Sequence, residues 1–94
     1  MEFLNTKELV ASLTGKNKSF IIKVAKNQEE KYGNIDIFDA TVEKNSVRIG
    51  FGDYTLRFFL REGKIFDKIG NGQGHKYAKS LESCALELWH KFNN

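Results

Sequence analysis

Hydrophobic and polar positions along the chain change period, from helical to alternating and back to helical. Near the N-terminus, Phe3, Leu9, Val10 and Leu13 make one apolar side of a short helix that Asn5 opens and Gly15 closes. Asn5-Thr6-Lys7-Glu8 has the form of a capping box, with Asn5 as cap and Glu8 reaching back. Ser19 to Lys26 then alternates, with Phe20, Ile22 and Val24 on one face and Ile21, Lys23 and Ala25 on the other. That period of two predicts a strand with one buried face. Asn27 to Gly33 is charged and reads as a loop. Ile35 to Glu43 predicts a second strand with mixed parity: Ile35 and Ile37 oppose Phe38, Ala40 and Val42, and a bulge near Phe38-Asp39 would reconcile them. Val47, Ile49 and Phe51 face inward on the next strand, with Arg48 outward.

Tyr54 to Arg61 alternates most clearly. Tyr54, Leu56, Phe58 and Leu60 point one way, and Thr55, Arg57, Phe59 and Arg61 the other. Gly52-Asp53 before it suits a two-residue hairpin turn with glycine first. Glu62-Gly63 turns the chain into Lys64 to Ile69, a further strand. The last element is a helix, because Ala78, Leu81, Ala85, Leu88 and Phe92 step by three and four. Tyr77, Cys84 and Trp89 flank that stripe. Lys76, Lys79, Ser83, Glu87 and His90 form the opposite face, and Leu86 is an apolar residue on that polar side. The order predicts a single two-layer α+β domain over residues 1–94: an N-terminal helix, an antiparallel sheet of four to five strands, and a C-terminal amphipathic helix.

Composition narrows the function. The 94 residues carry fifteen Lys and Arg against twelve Asp and Glu, a net charge of +3. A mildly basic balance permits a nucleic-acid partner without requiring one. The single cysteine, Cys84, excludes an internal disulfide and a thiolate zinc site. No apolar run is long enough to span a bilayer, and the N-terminus lacks a signal-peptide pattern. The expectation is a cytoplasmic protein with no membrane partner. Abundant Asn and Lys fit an AT-rich genome and hint at a phage or mobile-element origin.

Catalytic constellations are absent. His75 and His90 are fifteen residues apart on one helix, ~22 Å along its axis, too far to share an ion. Asp53 with Glu62-Gly63-Lys64 echoes a nuclease pattern, but Glu62 falls in a turn that does not aim it at a metal. Cys84 lies on the core face. The expectation is a non-enzyme without metal or cofactor.

Two groups of residues point to binding. Gly70, Gly72 and Gly74 lead straight into a helix whose first turn carries His75, Lys76 and Lys79. Bare amides and cations at a helix N-terminus suit a phosphate. The second group is the outward face of the sheet, where Lys23, Arg48, Arg57, Phe59 and Arg61 fall. A basic sheet with an exposed ring can stack bases and meet phosphates. The bland readings are a flexible connection for the first group and a solvated face for the second, with the arginines guarding Phe59 against aggregation. Burial of Phe59 at a dimer or partner interface is a third reading.

The run Tyr54-Thr55-Leu56-Arg57, Gly63-Lys64-Ile65-Phe66 and Gly72-x-Gly74-His75-Lys76-Tyr77-Ala78-Lys79 resembles the second half of a double-stranded-RNA-binding domain. The resemblance covers roughly forty residues. It implies that His75, Lys76 and Lys79 straddle phosphates across the RNA major groove. The chain departs from the family in a loop one residue longer, in Glu82-Ser83 where the family prefers a pair of alanines, and in an additional hairpin upstream. The leading expectation is a non-catalytic domain that binds RNA or DNA through backbone phosphates. The alternative is a small protein-binding module, such as a phage or mobile-element inhibitor docking on an acidic host protein surface.

Overall fold

A computed structural model describes residues 1–33, 36–52, 54–70 and 76–93. The elements run β1 (Glu2–Asn5), α1 (Thr6–Ser12), α2 (Gly15–Tyr32), β2 (Phe38–Val42), β3 (Ser46–Phe51), β4 (Tyr54–Arg61), β5 (Lys64–Gly70) and α3 (Ala78–Asn93). The five strands form one antiparallel sheet in the order β1-β2-β3-β4-β5. Alternation sends Leu4, Ala40, Val42, Val47, Ile49, Leu56, Phe58 and Leu60 to one face of the sheet. There they join Leu9 and Leu13, Ile21 and Val24, and Leu81, Cys84, Ala85 and Leu88 in one core. All three helices therefore serve the same face, and the other face is left open. The predicted two-layer α+β domain is the observed architecture.

The strand count agrees with expectation, but its membership differs. Ser19–Lys26 is not a strand. It is the middle of α2, an 18-residue helix. Five apolar residues around Lys23 (Phe20, Ile21, Ile22, Val24 and Ala25) fit either period, and length decides between them. Asn17, Phe20, Ile21, Val24 and Ala25 recur at helical spacing on the protected side, while the charged segment after Lys26 extends the helix instead of forming a loop. Gly33 stops it with φ at 68° and donates its amide to the Glu29 carbonyl at 2.7 Å. A left-handed cap of this kind suits glycine. The missing strand is β1, which supplies Phe3. That residue is not on a helix face but stands on the open side of the sheet.

Asn5 does cap α1. Its side-chain Oδ1 accepts the Glu8 backbone amide at 3.0 Å, and its side-chain Nδ2 donates to Glu8 Oε1 at 3.2 Å. Thr6 then extends the β1–β2 ladder by side chain: its buried hydroxyl donates to the Phe38 carbonyl at 2.9 Å and accepts the Phe38 amide at 2.8 Å. β2 begins only at Phe38, so the mixed parity of this stretch reflects a late strand start with Ile37 buried ahead of it. β2 keeps regular register with β3. The irregularity lies instead between β4 and β5, at Phe59/Leu60.

The polar side of α3 is not simply solvated. Thr14, the N-cap of α2, makes no capping bond with its own side chain. Glu87 of α3 does this in trans, accepting the Thr14 amide at 2.6 Å and the Asn17 side-chain amide at 2.8 Å. A carboxylate at a helix N-terminus satisfies an orphan donor and complements the dipole. Glu87→Ala should cost about 1–2 kcal/mol in urea unfolding, and Glu87→Gln, which keeps an acceptor, clearly less. Equal losses in the two variants would show that packing, not the cap, holds α2 to α3. Leu86, expected to be exposed, is half-buried and packs against the core.

Candidate functional site

The open face is organised by register. Phe3, Thr41, Arg48, Arg57 and Ile69 are successive cross-strand partners, so one row of side chains crosses all five strands. At ordinary strand spacing that row is ~19 Å wide. The next row contains Ser46, Phe59 and Asp67, and Arg61 pairs with Lys64 beyond it. The irregular register between these rows leaves Phe66 as the extra residue of β5. Its ring lies 6.3 Å from that of Phe59, and the Arg61 guanidinium sits 4.4 Å from its centroid. The bulge thus adds a second aromatic ring to the face.

Arg48, Arg57, Phe59 and Arg61 are therefore brought together, as their parity predicted. Arg48 and Arg57 stand directly opposite one another on β3 and β4. Like charges in that relation oppose folding. The Arg48 guanidinium donates to the Thr41 hydroxyl at 3.2 Å, a neutral partner. Arg48, Arg57, Thr55 and Ile69 line a shallow depression of about 460 Å³. A neighbouring one of about 400 Å³ is lined by Phe59, Arg61, Phe66 and Trp89 among others. Among the described residues Met1, Phe3, Tyr32, Phe66 and Ile69 are the exposed large apolar ones, and Phe3 (61%), Phe66 (55%) and Ile69 (57%) all belong to this face.

Charge is divided across the sheet. Arg48, Arg57, Arg61 and Lys64 lie on β3, β4 and β5. Asp39 projects from β2, and Glu43, which receives a hydrogen bond from the Ser46 hydroxyl at 3.3 Å, lies just past its end. Asp39 leans over Gly50, where a Cβ would come within 3.1 Å of its carboxylate. One acidic border thus runs along β2, and Asp67, opposite Phe59, adds a carboxylate on β5. Asp67 on β5 accepts the neighbouring Lys68 amide at 2.8 Å.

The other expected members lie elsewhere. Lys23 is exposed on α2, away from the sheet, because its segment is helical. Lys76 and Lys79 are exposed at the start of α3, on the helical layer. The layer that carries them packs on the core face of the sheet, whereas the arginines stand on the face the helices leave open. Gly72, Gly74, His75 and Asp53 lie outside the described residues. Phe3, Phe66 and Ile69 went unnamed as site residues in the sequence. Phe66 required the bulge, and Phe3 and Ile69 required the pairing of the edge strands.

Burial pushes the Cys84 thiol up to about 12, with Glu87 adding to the effect. It is a core residue, not a nucleophile at neutral pH. Among the described residues, no three His, Cys, Asp or Glu side chains converge as metal ligands would. Among the described residues, too, no helix is long and apolar enough to cross a membrane. No protein-family model, curated protein or solved structure matches the chain.

Proposed function

We propose that this protein is a non-catalytic nucleic-acid-binding domain and that its open sheet face is the binding surface. The observation that carries the reading is the opposed pair Arg48 and Arg57, set beside Arg61, Phe59 and Phe66 on a face no helix covers. Opposed arginines are unfavourable for folding alone. A polyanion laid across them removes the repulsion and gains charge-assisted hydrogen bonds. Lys76 and Lys79 belong to the helical layer, so this reading gives the phosphate contacts to the sheet arginines and none to them.

The test is a titration of labelled single- and double-stranded DNA and RNA at two salt concentrations. Affinity should fall steeply with salt, since phosphate contacts release counterions. Lys76→Glu should change it less than about twofold. Absence of binding at low salt would sink the proposal. Equal losses from Lys76→Glu and Arg57→Glu would assign the two sides a joint role instead. The exposed Phe3, Phe66 and Ile69 favour a second reading, an acidic protein partner on the same face. A partner retained after nuclease treatment, with no oligonucleotide bound, decides for it.

A further inference from the structure

The face does more than present positive charge; its rings and charges are ordered along the strands. Going along β4 towards its end, the face presents Arg57 with Arg48 beside it, then Phe59, then Arg61 stacked on Phe66. Cation, ring, cation and ring alternate over a short path. Carboxylates border this path on both sides and repel a polyanion from straying off it: Asp39 and Glu43 at β2, and Asp67, the partner of Phe59, on β5. We infer that the ligand of this face is a single-stranded nucleic acid, running along β4 with unpaired bases on Phe59 and Phe66 and phosphates at Arg48/Arg57 and Arg61.

This inference rests on the sheet face being the nucleic-acid surface and adds which form it takes and along which path. A duplex keeps its bases stacked inside and offers phosphates outside, so rings on a flat sheet gain little from it. A single strand can turn its bases onto the rings, and every base has a π-face to offer. The Arg61–Phe66 contact helps by holding the guanidinium over the ring, 4.4 Å from its centroid, at the edge of the path. Phe66 is more than half exposed, so its ring is available without rearrangement of the core. Phe3 is as exposed and on the same face, but it lies on β1, beyond the acidic border at β2. It serves as an internal control.

The experiment measures binding of labelled oligo(dT) and oligo(U) to the full chain by fluorescence anisotropy at low salt. A duplex and an abasic deoxyribose-phosphate oligomer of equal length are the comparisons. Phe66→Ala and Phe59→Leu should each weaken binding of the single strands about tenfold or more, as loss of one stacked base does. Phe3→Ala should leave it unchanged within about twofold, and both comparison ligands should bind more weakly than the single strands. Binding of either oligo(dT) or oligo(U) in this pattern supports the inference. Equal affinity for single strand, duplex and abasic oligomer, with indifference to both ring substitutions, would overturn it while leaving a phosphate-binding sheet intact. Failure of every polyanion to bind would remove the underlying reading and the inference with it. Circular dichroism of each variant ensures that a lost ring, not a lost fold, is being read.

Discussion

Arg57→Glu is expected to lower nucleic-acid affinity about 10- to 100-fold at low salt while leaving the protein as stable as before or slightly more so. Both halves of this outcome follow from one geometric fact. Arg57 is the direct cross-strand partner of Arg48. Replacing it with a carboxylate turns a repulsive pair into an attractive one, worth ~0.2–1 kcal/mol in a sheet. In a domain of this size that corresponds to a rise of a few degrees in Tm, about 1–5 °C. The same change removes a phosphate donor and adds an anion to the path of the strand. A solvated face without function would show the gain in stability and no loss of binding, because there would be none to lose. Thermal unfolding and anisotropy on one preparation separate the cases. A stability loss exceeding about 1 kcal/mol would show that Arg57 packs structurally and would remove the argument from repulsion.

The largest effect on stability should come from Phe58. It is fully buried, on the inward face of β4, between Val47 of β3 and the edge strand. Phe58→Ala removes a ring from a close-packed interior and should cost ~3–5 kcal/mol. Against a typical total of ~5–15 kcal/mol, that is enough to leave a marginal domain. Its neighbour Phe59 points to the opposite face. Urea denaturation should therefore report a loss of several kcal/mol for Phe58→Ala and, for the exposed Phe66→Ala, a change within ~0.5 kcal/mol. Comparable losses at positions 58 and 66 would contradict the assignment of faces on which the proposed binding surface depends.

That assignment was already legible in the sequence for the centre of the sheet. Tyr54–Arg61 alternates without interruption, and so Arg57, Phe59 and Arg61 had to share a side opposite Leu56, Phe58 and Leu60. Arg48 followed from Val47, Ile49 and Phe51. The α3 stripe and the Asn5 cap were equally readable, since each depends on residues within two turns of one another. Ser19–Lys26 was not. Its apolar residues are consecutive enough to satisfy either period, and the choice of helix comes from packing against α3 and from the Gly33 cap. Glu87 and Leu86 looked solvent-facing because a helix pattern shows which side is apolar, not which neighbour covers the rest.

By itself, then, the sequence determined the class of fold and the inward and outward sets of the central strands, both of which rest on local periodicity and residue chemistry. Tertiary structure alone decided which basic groups can act together. Register across β3 and β4 set Arg48 against Arg57, and a bulge in β5 brought Phe66 beside Phe59 and Arg61. Stacking of all three helices on one side put α3, with Lys79, on the layer opposite the open face. The physical reason is that periodicity fixes the direction of a side chain relative to its own element. Which side chains meet is fixed by strand pairing and by which face of the sheet is buried, and those are relations between distant parts of the chain.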